Sequence, residues 1–212
     1  MRLTKLEHAA LVIEDSGDRL FIDPGNYTTP ITDATGALAV VITHEHADHW
    51  SPDQLRRIIE ASPEVRLFGP AGVAAAASAF PVEVVAPGDE VEVGPFHLRF
   101  FGGRHAEIHS SIDIIDNIGV IVNESFAYAG DSFVVPEGLD VEVLAAPAGA
   151  PWMKISESME YIRAVAPKRA FATHEMVLSQ VGKDLSHARL AWAVEQAGGE
   201  YARLEPGDTL DF

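Results

Sequence analysis

Residues 43–49 read Thr-His-Glu-His-Ala-Asp-His, so His44, His46, Asp48 and His49 place three imidazoles and a carboxylate within six positions. Neutral imidazole is the commonest protein ligand for zinc-like ions, and carboxylate is its usual companion. His44 and His46, two apart in extended backbone, point to one side and can share an ion. Asp48 and His49 follow as the chain turns and can address a second. Two metals about 3.5–4 Å apart can activate one water and clamp both oxygens of a displacement.

The flanking sequence places this cluster on a strand-to-helix loop. Ala37 to Ile42 is apolar and β-branched at its end, as a buried strand should be. Ser51 suits a helix N-cap, Pro52 the first helical position, and Asp53 the positive helix end. The carboxyl end of a strand is a usual place for a site in an α/β protein.

Other chemistry-bearing residues recur at predicted strand ends. His105 follows Gly102-Gly103 and is the third ligand expected for the first metal. If the chain stays extended, His105, Glu107 and His109 share a face. His109 reads equally as a catalytic pocket residue and as a strand-surface histidine; Glu107 reads as a hydrogen-bond partner or solvated acid. Asp131, in Gly130-Asp131-Ser132, is placed to bridge two ions, although alone it would read as a turn-former. Thr173-His174 repeats the Thr43-His44 pattern and supplies the last ligand. Asp23, before Pro24, could orient a metal-bound imidazole or simply start a turn. Trp152 could line a pocket or fill the core. His97 and His187 lie off the pattern and read as surface groups.

Between these points the expected elements alternate. Leu3–Glu14 reads as one extended segment, returning through Asp15-Ser16-Gly17-Asp18 as Arg19–Ile22. Helices are expected from Ser51 to about Ala61, from Pro70 to Phe80, from a cap at Ser156 to about Ala166, and from Ser186 to Ala197. Strands fill 65–68, 82–85, 90–93, 96–101, 118–122, 125–129, 141–146, 169–173, 201–204 and 209–212.

Composition narrows the class. The 212 residues suit one domain, 1–212, and the 47% hydrophobic and 22% charged content is ordinary for a globular chain. The absence of cysteine excludes disulfides, thiolate ligands and a Cys nucleophile and fits the cytoplasm. No apolar stretch has membrane-spanning length, and no apolar segment precedes the first acid as in a signal peptide. With 15 basic against 32 acidic residues, a formal charge of −17, and no Lys/Arg run, nucleic acid and membranes are poor partners. A small-molecule substrate is expected; oligomeric state is unreadable.

Taken together, Asp23-Pro24, His44-x-His46-x-Asp48-His49, His105, Gly130-Asp131 and Thr173-His174 resemble, in order, the motifs of the metallo-β-lactamase superfamily. Gly103-Arg104-His105-Ala106 and the lack of insertions look like its compact branch related to ascorbate-6-phosphate lactonase. The resemblance implies a four-layer αββα sandwich, two mixed sheets flanked by helices, with the metals at one edge. It implies that His44, His46 and His105 hold one metal, Asp48, His49 and His174 the other, and that Asp131 bridges. It puts His8 near the site as a supporting residue and gives Glu45 no role. The implied cofactors are two divalent ions, Zn2+ first, with Mn2+ or Fe as alternatives. The expected activity is hydrolysis of a lactone or phosphoester by metal-activated water, with Asp48 orienting the nucleophile and carrying a proton. A non-catalytic metal-binding protein and a redox di-iron protein are the competing readings.

Overall fold

The computed structural model describes residues 1–212. The strands are β1 (Arg2–Lys5), β2 (Leu11–Asp15), β3 (Asp18–Ile22), β4 (Ala37–Val41), β5 (Arg66–Gly69), β6 (Val82–Val84), β7 (Glu90–Val93), β8 (Phe96–Arg104), β9 (Asp116–Val122), β10 (Phe126–Tyr128), β11 (Val143–Pro147), β12 (Arg169–Thr173), β13 (Glu200–Tyr201) and β14 (Thr209–Asp211). The helices are α1 (Pro52–Ala61), α2 (Ala71–Ala76), α3 (Ile155–Val165) and α4 (Gln180–Gln196).

The strands form two seven-stranded sheets, ordered β14-β1-β2-β3-β4-β5-β6 and β13-β12-β11-β10-β9-β8-β7. Each sheet is antiparallel on one side and parallel on the other. The inner faces meet in a cluster of 22 buried residues, among them Leu20, Phe68, Phe96, Phe100, Phe126 and Phe171. Strict alternation in β8 sends Phe96, Leu98 and Phe100 inward. Burying each such side chain contributes about 1.5–3 kcal/mol, against at most about 1 kcal/mol for an exposed ion pair. The Arg2–Asp211 pair on the surface is therefore secondary to this layer.

A second cluster packs the outer face of one sheet on Tyr161, Ile162, Leu190, Ala193 and Val194 of α3 and α4. A third packs the other sheet on Leu55, Ile58 and Val73 of α1 and α2. These layers make the expected αββα sandwich. No helix is long and apolar enough to cross a membrane.

Local chemistry explains most boundaries. Ser51 caps α1 by accepting from the Gln54 N–H at 3.2 Å. The β2–β3 loop, Ser16-Gly17, and the β9–β10 loop, Asn123-Glu124, have positive φ at both central residues, the hairpin geometry that matches strand twist.

Several expectations need correction. Leu3–Glu14 is two antiparallel strands, because the chain turns at 6–10 with His8 at φ 60°. No glycine or proline marks that turn. Helix α2 stops at Ala76. Helix α3 starts at Ile155: Glu157 accepts from the Lys154 N–H at 2.6 Å, so the cap is Lys154 and not Ser156. Helix α4 starts six residues early, capped by Ser179, because Gly182 inside its first turn weakens the helical signal. His187 is buried beside Tyr201 and is not a surface group.

Lys5 is fully buried and its ammonium contacts Glu175, the residue after His174. Removing one partner leaves an unpaired buried charge. Lys5→Ala is expected to cost about 3–5 kcal/mol, read as a lower denaturant midpoint. A midpoint equal to wild type would refute this.

Candidate metal centre

Five strand ends deliver the site. The turn after β4 carries His44, His46, Asp48 and His49; β8 leads to His105, β10 to Asp131, β12 to His174, and β3 to Asp23. The turn between β1 and β2 adds His8.

Ligand atoms converge in two groups, His44, His46, His105 and Asp131, and His8, Asp48, His49 and His174. Within each group the atoms lie within 4.8 Å of one another. Asp131 touches both groups. Its Oδ2 is 3.3 Å from His105 Nε2 and 3.1 Å from His174 Nε2, and its Oδ1 is 3.2 Å from His49 Nε2. Asp48 Oδ2 stands 3.5 Å from His174 Nε2.

Hydrogen bonds behind the rings decide which nitrogens face inward. His49 Nδ1–H donates to Asp23 Oδ2 at 2.7 Å. The Thr43 hydroxyl donates to the same oxygen at 2.7 Å, so it must accept from His44 Nδ1–H at 3.0 Å. His105 Nδ1–H donates to the Ala106 carbonyl at 2.6 Å, and His174 Nδ1–H to the Gly149 carbonyl at 2.9 Å. Four imidazoles thus present Nε2 lone pairs to one space. Such outer contacts fix tautomer and orientation at metal sites.

Asp131 is held in turn. Trp152 Nε1–H donates to Oδ2 at 2.9 Å, and Asn117 Oδ1 accepts from the Asp131 N–H at 3.0 Å. Trp152 is buried and also belongs to the site, which joins its two sequence readings. Asn117 was missed, since a lone Asn opening a strand carries no signal. His8 does more than a neighbour: Nε2–H donates to Asp48 at 3.0 Å, Nδ1 accepts from the Met176 N–H, and its carbonyl accepts from the His174 N–H.

The donor set fits divalent cations. Nε2 of His49, His105 and His174 and Oδ1 of Asp131 are buried with no hydrogen-bond partner. Buried polar atoms rarely stay unpaired, so four together mark a coordination space. Electrostatics agree. Burial alone would raise Asp131, but His49, His174 and His44 hold it well below the usual carboxylate range. Burial alone would raise Asp48 too, yet the adjacent His174 and His8 rings hold it low. Burial pushes His44 well down and His8 to about 4. Burial lowers His174 as well, but Asp131 and Asp48 outweigh it and lift the ring to about 9. His49 is raised likewise by Asp131 and Asp23. Cations and protons therefore compete for these rings.

His109 is not brought to this cluster. Strand β8 ends at Arg104, the chain turns, and His109 is exposed with Nδ1 accepting from the Ser111 N–H at 3.1 Å. The shared face expected for 105, 107 and 109 does not form.

A family model described as a beta-lactamase superfamily domain matches residues 2–174. The chain belongs to the beta-lactamase superfamily, with the metallo-β-lactamase fold. Protein Rv0786c of Mycobacterium tuberculosis is 38% identical over 195 residues, 90% of this chain and 91% of the relative. Igni18, a metallo hydrolase from Ignicoccus hospitalis, superposes with a TM-score of 0.75 at 19% identity, over 100% of this chain and 98% of its own. CmlA, a diiron β-hydroxylase from Streptomyces venezuelae, gives 0.75 at 16% identity, over 100% of this chain and 54% of CmlA. At such identities the structural likeness is one of fold. In this superfamily member, Asp23, Thr43, Asn117 and Trp152 are the chain's own supports for the converging ligands.

Gly25 shows how tightly the site is built. A Cβ there would fall 1.8 Å from the Asp48 carbonyl oxygen. Gly25→Ala must push the 44–49 turn away and is expected to lower bound metal in elemental analysis. Asp23→Asn removes the acceptor charge behind His49 and should weaken metal affinity about 10–100-fold by competitive chelation. Unchanged affinity would contradict this role for Asp23.

Proposed function

We propose that this metal-dependent hydrolase of the superfamily holds two divalent ions, zinc foremost, and cleaves a small ester-type substrate of the lactone or phosphoester class. The observation that carries the reading is Asp131, a buried carboxylate in contact with imidazoles of both groups. His44, His46 and His105 would hold one ion, Asp48, His49 and His174 the other, with Asp131 shared. When bound, such ions supply Lewis acidity, acidifying water and polarising the scissile group.

The chain's own residues do the rest. Asp48 is the more exposed of the two acids, its side chain 22% accessible, and faces incoming substrate. His8 fixes its Oδ2, so the other oxygen can orient the attacking water and carry its proton to the leaving group. Trp152 and Phe133, ring centroids 5.4 Å apart, exclude water behind Asp131. Tyr27, half exposed and edge-on to His8 at 5.0 Å, offers an apolar wall at the mouth. The lactone preference follows the resemblance to the compact lactonase branch. The acidic surface supports a small molecule over nucleic acid or membrane, and the absence of cysteine supports the cytoplasm as location.

Two other readings have support. The fold shared with CmlA, together with a His/Asp donor set that accepts iron, favours a redox di-iron site. An iron absorption band in purified protein would favour it. A non-catalytic metal-binding protein would show metal without turnover.

Purified protein is expected to carry about two metal ions per chain, and Asp131→Ala to lose at least one while keeping its circular dichroism. Turnover on a lactone, ester and phosphodiester panel should fall at least about 100-fold in Asp48→Asn, assayed with metal added to saturation. Wild-type protein folded but metal-free would defeat the proposal.

A further inference from the structure

Helix α4 is apolar on two opposite faces. His187, Leu190, Ala193 and Val194 are buried against the sandwich. Directly across the helix, Val181, Leu185 and Trp192 are 70%, 62% and 47% exposed, and Ala188 between them is exposed too. A surface helix normally turns charge to solvent. Helix α1 does so with Asp53, Arg56, Arg57 and Glu60. Positions 181, 185, 188 and 192 are spaced four, three and four apart, the spacing of a coiled-coil seam.

The charges beside the seam select the occupant. With Val181 and Ala188 at d and Leu185 and Trp192 at a, Asp184 takes a g position and Arg189 the next e position. In a parallel two-fold pair, g of one helix faces e of its mate five residues on. Asp184 then meets Arg189 of the second copy, twice by symmetry. In an antiparallel pair g faces g, and the g positions of this seam are Asp184 and Ala191, which offer Asp184 no cationic mate. Asp184 already pairs with Arg203 of its own chain, which holds its carboxylate in place.

We infer that the protein self-associates as a two-fold dimer through α4, with Val181, Leu185, Ala188 and Trp192 as the seam and Asp184–Arg189 pairs on its flanks. Trp192 is the anchor, since Trp dominates interface energetics. The seam spans three turns and ends at Glu195, so the interface is small and association weak. Each chain carries −17, so the dimer needs physiological salt to screen repulsion.

Sedimentation velocity of full-length protein with its metals, over a micromolar to millimolar series, tests this. The expected result is a concentration-dependent shift to twice the chain mass. Leu185→Glu with Trp192→Glu should leave chain mass at every concentration, with circular dichroism and metal content unchanged. Arg189→Glu should weaken association about tenfold, and adding Asp184→Arg should restore it. Wild type that stays a monomer, a dimer that survives the double glutamate variant, or a charge reversal that recovers nothing would each overturn the inference.

Discussion

A carboxylate buried among imidazoles governs this molecule. Asp131 is 1% exposed, and removing a carboxylate from water costs several kcal/mol. The cost is offset by what surrounds it: Trp152 donates to one oxygen, and the rings of His49, His105 and His174 lie within 3.3 Å. A structure that keeps such a charge buried must bring several distant segments to one point and hold them there. The two sheets are the means.

Both sheets end their parallel strands toward the same edge. Strand β4 delivers the His44–His49 turn from one sheet, and β12 delivers His174 from the other. The inter-sheet apolar layer fixes how far apart these ends lie, so packing far from the site sets ligand spacing. The backbone spends strain at the same edge: His8, Asp23 and His174 all have φ between 47° and 60°, a region that non-glycine residues avoid. Clustering of such residues around one site is what a demanding geometry requires.

The site also shows how polar groups are used twice. The Thr43 hydroxyl donates to Asp23 and accepts from His44, so one side chain sets two rings in one chain of hydrogen bonds. The pair Lys5–Glu175 ties the first strand to the segment after His174. His8 links the turn after β1 to both Asp48 and His174. Ligands from separate sheets are thereby joined through the N-terminal segment as well as through the core.

Much of this was legible in the residues alone. Period-two alternation in β8, the Ser51-Pro52 helix start, and histidines at the ends of apolar runs are local signals, carried by side-chain type and spacing. They were enough to name the seven residues that the structure brings together at one edge. The turn at His8 was not legible, because no glycine or proline announces it, and the early start of α4 was hidden by Gly182. His109 failed for a related reason: its face depended on the chain staying extended past Arg104, which only the packing of residues 105–115 could decide. Asn117 as a support, and the hydrogen bond of Trp152 to Asp131, became visible only in three dimensions, since both roles depend on a partner 14 or 21 residues away. Sequence by itself determined the ligand chemistry and the alternation of elements, because both are local. Tertiary structure decided which nitrogens point inward and which acid is shared, because those depend on contacts between segments that meet only when the two sheets close on their common core.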